Sequence, residues 1–166
     1  MEVGDLMAKL KMQGMEEWEN QLLELRDVGV STIGRAIYQG AKVIADQVKA
    51  NIQALPIDDR YVKNGQTLHG VKSLEKQGLL EGFGVSRLRD ENGYRNVKLG
   101  FDGYSPVPSN FSAKGVANIV VARAVNGGTS FRSKIPFVDN AVYAKKAECE
   151  KVMQKTFEDA IKKVAR

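Results

Sequence analysis

Few side chains in this chain have the type and spacing that catalysis needs. His69 is the only histidine of the 166 residues. A two-histidine metal site is therefore excluded, and so is a Ser-His pair with a second base in reserve. Its neighbours Leu68 and Gly70 place it in a loop, where a plain surface histidine is the simpler reading. Cys149 is the only cysteine, so there is neither a disulfide framework nor a thiolate metal cluster. It falls mid-helix between Glu148 and Glu150. A nucleophilic thiol needs a neighbouring base or a helix N-terminus to lower its pKa, so Cys149 reads as structural.

Asp58-Asp59 offers paired carboxylates. Adjacent residues of an extended segment point opposite ways, and no third carboxylate follows at a liganding interval, so a polar turn after Pro56 is expected. Gly82-Phe83-Gly84 resembles half of a phosphate loop, but no lysine or hydroxyl follows at the required spacing. Gly127-Gly128-Thr129 fails for want of a following Gly-Lys. No catalytic, cofactor-binding or metal residue is assigned, no cofactor is expected, and the chain is read as a non-enzyme.

The bulk composition is that of one globular domain. Hydrophobic residues make up 43% and charged residues 27%, ordinary values for such a chain, while aromatics at 7% predict an aliphatic core. The net charge of +5 comes from 25 Lys and Arg against 20 Asp and Glu. It is not gathered in a block: Lys145 to Arg166 holds seven basic and four acidic residues. A nucleic-acid domain usually shows a clustered basic face or interleaved aromatics, so a small basic nucleic-acid-binding protein is the alternative reading and a hydrolase a more remote one. There is no charged-then-apolar leader pattern and no apolar run of about 18 residues, which points to a protein made in a reducing cytoplasm and not placed in a membrane.

Periodicity supplies the elements. A short strand is expected around Met7–Met12. Trp18, Leu22 and Leu25 recur at helical spacing behind an acidic first turn, with Gly29 as a C-terminal glycine. Val30, Ile33, Ile37, Ala41, Ile44, Val48 and Ile52 then mark a longer amphipathic helix, opened by Ser31 or Thr32 and stopped by Pro56. Residues 57–81 predict a long, mobile polar loop with one helical turn near Val71–Gln77. Gly84–Asp90 and Tyr94–Phe101 flank Asn92-Gly93, the strongest short hairpin signal. Residues 102–115 predict an exposed, mobile loop. Val116–Val125 reads as a central strand, and a last amphipathic helix is expected from Val138 to Ala165. The fold class is α+β, an antiparallel sheet with a long N-terminal amphipathic helix and a C-terminal helix packed on one face, in a single domain of residues 1–166.

The end of the chain carries an ordered motif: a strand, then Gly127 and Gly128 with Thr129-Ser130, five residues, then Pro136-Phe137, Ala141, and an amphipathic helix. In that order and spacing it resembles the minor tail-component, or tail-completion, family found at the head–tail junction of long-tailed bacteriophages. There are departures: Asn126 stands where an acid is common, Ser133 where a proline is common, and 104–115 looks like an insertion. Physically, the glycines permit a turn at positive φ, Thr129 or Ser130 can bond locally within it, and Pro136 directs Phe137 to anchor the last helix on the sheet.

The resemblance implies a structural virion protein acting as a ring of identical subunits, a hexamer by expectation. Its partners would be further copies of itself, the tail-tube protein and the head connector, with DNA passing through the lumen without specific binding. Its place would be the virion neck, with the host cytoplasm as the site of assembly. Arg60, Lys63, Tyr104 and Phe111, in the two loops, are the expected partner contacts, because aromatic and arginine side chains dominate interface energetics.

Overall fold

The computed structural model describes residues 15–108 and 113–164, and for 15–22, 24, 25 and 164 it describes the backbone. The expected strand at Met7–Met12 lies outside the described residues. The architecture is α+β, with helices at both ends and short antiparallel strand pairs between them.

Helix α1 runs unbroken over Met15–Ala54, 40 residues. The expected break at Gly29 does not occur. A glycine inside a helix costs only about 1 kcal/mol relative to alanine, too little to interrupt a helix of this length. Ser31 is not a cap either. Its hydroxyl donates back to the Val28 carbonyl, 3.0 Å away, a bond available inside a helix. The stop before Pro56 is as expected, and Lys76 Nζ donates to the Leu55 carbonyl at 2.8 Å, placing a cation at the helix C-terminus where the dipole favours it.

Residues 57–81 do not form one long loop. After a connection through 57–72, helix α2 occupies Ser73–Gly82. Gly78 and Gly82 weaken its helical signal in the sequence, yet Gly78 is required by packing. A Cβ there would stand 2.7 Å from Ser105 Cβ and 2.6 Å from Asn118 Oδ1. The connection itself is tied down: Val71 N–H donates to the Pro56 carbonyl at 2.9 Å and Asp58 N–H to the Val71 carbonyl at 2.8 Å.

The hairpin forms where Asn92-Gly93 predicts it. β2 (Arg89–Glu91) pairs with β3 (Tyr94–Asn96) in the register Glu91↔Tyr94, with Asn92 at φ 57 and Gly93 at φ 81. Further along the same ribbon β1 (Phe83–Val85) pairs with β4 (Leu99–Phe101). The segment expected to be an exposed loop contains β5 (Tyr104–Ser105), paired with β6 (Val116–Ala117). The sheet is therefore three two-stranded antiparallel pieces instead of one surface.

The expected central strand over Val116–Val125 is a correction. Only its first two residues are strand, and α3 takes Asn118–Gly127. Asn118, Val121, Ala122 and Val125 are buried while Ile119, Val120 and Arg123 are exposed. That is the burial rhythm of a helix, and tertiary burial overrides the β-branched composition.

Helix α4, Phe137–Val164, matches the expected last helix. It lies antiparallel along α1. Asn51 Nδ2 donates to the Phe137 carbonyl at 2.8 Å, and, towards the other end, Thr156 Oγ1 donates to Gln39 Oε1 at 2.5 Å. The core is aliphatic, built on Val48, Ile52, Leu55, Val71, Leu79, Val121 and Val125 with Phe137 and Ala141 of α4.

Candidate interaction surface

The Gly127–Ala141 motif builds the connection from α3 to α4. Gly127 is the last residue of α3, and Gly128 alone takes the turn, at φ 77 and ψ 165. Thr129 and Arg132 then close a tight turn through two backbone bonds, Thr129 N–H to the Arg132 carbonyl at 2.9 Å and its reverse at 3.3 Å. The connector is stitched down on both sides. Leu68 and the 131–133 segment exchange two backbone bonds of 2.8 Å, and Ile135 N–H reaches the Val125 carbonyl at 2.8 Å.

Phe137 anchors α4 as expected. It is 3% exposed and meets Phe101 of β4 edge-on at 6.1 Å, while Phe101 meets Phe83 of β1 at 5.1 Å. Such pairs add about 0.5–1.5 kcal/mol to simple burial. Ala141, one turn on, has no exposed surface. Phe137 and Ala141 thus serve the protein's interior, while Gly127, Thr129 and Ser130 are exposed at the turn.

Two supports of this connector were not visible in the sequence. Asn126 Oδ1 accepts the Val138 N–H at 3.0 Å, while its Nδ2 donates to Asp139 Oδ2 at 3.0 Å. The side chain therefore caps α4 from the preceding helix, satisfying a donor that every helix start leaves open. The position where relatives of the resembled family commonly carry an acid is here a capping amide. The second support is a buried ion pair: Arg132 Nη2 donates to both oxygens of Glu75 at 2.9 and 2.8 Å. Their side chains are 4% and 9% exposed. Neither residue belongs to a local motif, and 57 positions separate them.

Asp58 and Asp59 prove to be structural acceptors. Asp58 takes Arg60 Nε and Nη2 at 2.7 Å each and the His69 N–H at 2.9 Å. Those bonds, with the guanidinium first, hold its carboxyl well below the usual range. Asp59 accepts the Ser73 hydroxyl at 2.5 Å and the Ser73 N–H at 2.8 Å, which caps α2 and likewise lowers its carboxyl. Glu75 completes that cap by accepting the Lys72 N–H at 2.9 Å.

Ser133 Oγ lies 3.0 Å from His69 Nδ1, a pairing that crosses 64 residues and that sequence spacing could not reveal. The His69 backbone, not its ring, meets Asp58, so Asp58 does not orient the imidazole. Cys149 is half-buried, and burial pushes its thiol up, the reverse of activation. Gly82-Phe83-Gly84 marks the end of α2 and the start of β1. Among the described residues, no group of three His, Cys, Asp or Glu could hold a metal, and no helix is long and apolar enough to cross a membrane.

Of the expected partner contacts, Arg60 keeps an exposed side chain while bound to Asp58. It lines a shallow pocket of about 340 Å³ with Tyr61 and Gln66. Lys63 is exposed. Tyr104 sits on β5, half exposed, with the Lys114 ammonium 6.0 Å above its ring. Phe111 lies outside the described residues. The larger outward-facing aromatics were not singled out in the sequence: Tyr143 is 91% exposed, Tyr61 86% and Tyr94 78%. They sit at α4, the α1–α2 connection and the hairpin, so the surface offers several separate aromatic sites. Comparison with protein-family models, with curated proteins and with solved structures finds no match for this chain.

Proposed function

We propose that this chain is a structural assembly protein that completes the tail of a long-tailed bacteriophage and joins it to the head connector as a ring of identical subunits. The observation that carries the reading is the ordered segment from Gly128 to Ala141 ahead of an amphipathic helix, in the residues and spacing of the tail-completion family. The support is in the residues and not in a strand before the turn, since α3 stands there.

The placement of polar groups favours assembly over chemistry. Asp58, Asp59 and Glu75, the carboxylates nearest to the lone histidine in the chain, are engaged in caps and in an ion pair. Tyr143, Tyr61 and Tyr94 are strongly exposed on three separate elements, which suits an adaptor that meets the tail-tube protein on one side and the connector on the other. Arg60, Lys63 and Tyr104 remain the proposed partner contacts, joined by Tyr61 and Tyr143. The site of action would be the neck of the virion, with DNA passing through the lumen.

On this reading the isolated protein is monomeric or weakly associating in dilute solution and oligomerises on the tail end. Sedimentation velocity with and without purified tails tests it. Rings recovered only with tails support the proposal, and a tight low-order dimer in dilute solution argues against it.

A further inference from the structure

The first three turns of α1 are unlike the rest of the chain. Met15–Asp27 holds five acidic residues and one basic, a net −4, whereas residues 28–166 hold twenty-two basic and thirteen acidic, a net +9. Met15, Trp18, Leu22 and Leu25 recur at spacings of three, four and three, which on a helix gives one apolar stripe with most of the acids away from it.

Among the described residues, this arm runs on past the end of α4, the helix that covers α1. Val28, Thr32 and Arg35 line one groove with Thr156, Ala160 and Lys163, and α4 ends at Val164. The thirteen residues before Val28 extend about 20 Å further at 1.5 Å per residue.

A groove of about 680 Å³ lies at the base of the arm, between α1, the β2–β3 hairpin and α4. Val30, Ile33, Ile37 and Met153 form its apolar floor, and Asp90, Gly93, Tyr94 and Arg95 its wall. Arg87 and Arg89 on the same hairpin are exposed, and the hairpin's two acids, Asp90 and Glu91, are each matched by a cation, Arg95 and Lys98. The groove is therefore apolar on its floor and balanced at its wall, where Arg95 pairs with Asp90, and the excess positive charge beside it comes from the exposed Arg87 and Arg89.

The arm cannot fill the groove of its own chain. Residues 30–37 of the groove floor and the arm belong to one uninterrupted helix, which cannot double back. Nor do two arms suit each other, since pairing them sets −4 against −4 and like charges repel. We infer that the acidic arm of one copy docks in the hairpin groove of a second copy, a head-to-tail contact between unlike surfaces. Such a contact leaves one arm and one groove free at each end and closes into a ring when the rotation permits. The inference rests on the ring reading above and supplies the surface by which neighbouring subunits meet.

Trp18 is the only tryptophan in the chain, so its emission reports on the arm alone. In the full chain, the emission maximum is expected to move to the blue between dilute and concentrated protein and to return in high salt. Tyr94→Glu places an acid in the groove at an exposed position and is expected to abolish the shift with the helical circular dichroism unchanged. A second arrangement separates arm-to-groove from arm-to-arm contact. The Tyr94→Glu chain is mixed with a chain carrying Glu16→Lys, Glu17→Lys, Glu19→Lys and a silent Trp18→Phe. The first keeps its arm and the second its groove, so the mixture is expected to recover the blue shift and to sediment as a one-to-one pair. An emission maximum independent of concentration, a shift that survives Tyr94→Glu, or a mixture without recovery would each overturn the inference. A neck defect in particles lacking the chain, found alongside any of these, would leave the assembly role standing on a different subunit contact. Arm docking found alongside normal particles would instead sink the assembly role alone.

Discussion

Arg132 and Glu75 illustrate what a single side chain can hide in this sequence. Arg132 sits between Phe131 and Ser133 in what reads as a polar turn, yet it is 4% exposed, and its Nε and Nη1 have no hydrogen-bond acceptor among the described residues. All of its compensation comes through Nη2 and Glu75. Removing one partner of a buried pair costs about 3–5 kcal/mol, while replacing both by apolar groups can be near neutral. Glu75→Leu and Arg132→Met are each expected to destabilise by about that amount, and the double variant by clearly less than their sum. Urea unfolding of the four chains measures this, and additive costs would show that the pair is not coupled. Asp58 and Asp59 act at the same scale but through pH. Both carboxyls lie below their ordinary value in the folded chain, so on acidification the unfolded chain binds protons first. Their contribution is complete above the unfolded pKa and is lost as pH falls from about 4 through the lower folded values. The Asp58→Asn, Asp59→Asn chain should be less stable than the parent at neutral pH, with the difference shrinking below about pH 4. A gap that stays constant with pH would exclude these groups. The sequence marks Asp58-Asp59 as a polar turn, but their partners His69 and Ser73 lie 11 and 14 residues on, and no short-range pattern exposes them.

The elements divide by how locally they are determined. The hairpin at Asn92-Gly93 and the stop before Pro56 are legible because backbone geometry at two or three residues decides them. The long helices are legible because their apolar spacing persists over many turns. Gly29 and the Val116–Val125 run mislead because a local propensity is worth only about 1 kcal/mol or less. At Gly29 that is too little to break a 40-residue helix, and in Val116–Val125 it yields to burial of the α3 face formed by Asn118, Val121, Ala122 and Val125. The α1–α4 pairing depends on one close approach, at Gly40. A Cβ there would stand 2.7 Å from Met153 Cγ and 2.9 Å from Cys149 Sγ. Gly40→Leu is expected to wedge the two helices apart and to cost about 1–3 kcal/mol. At Gly29 an added Cβ would meet nothing within 4 Å, so that position should accept alanine with a gain in stability. Thermal unfolding of both chains distinguishes them, and equal effects would refute the assigned spacing of α1 and α4.

At the scale of the molecule, the pieces combine into a body whose interior is settled by α1, α4 and the aromatic ladder Phe83–Phe101–Phe137, and whose exterior carries separated tyrosines and an apolar groove beside the exposed Arg87 and Arg89. In the motif that suggests tail completion, Phe137 and Ala141 are buried and seat α4. The surfaces proposed to meet partners are drawn from elements that the sequence marks only as polar or as hairpin, and the proposed arm depends on α1 continuing through Gly29. Exposure of a tyrosine is a property of the folded whole, and spacing along the chain does not carry it. Electron microscopy of particles produced with this chain deleted tests the assembly role most directly. Filled heads separated from overlong or unfinished tails are expected, and intact virions with normal necks would contradict that role.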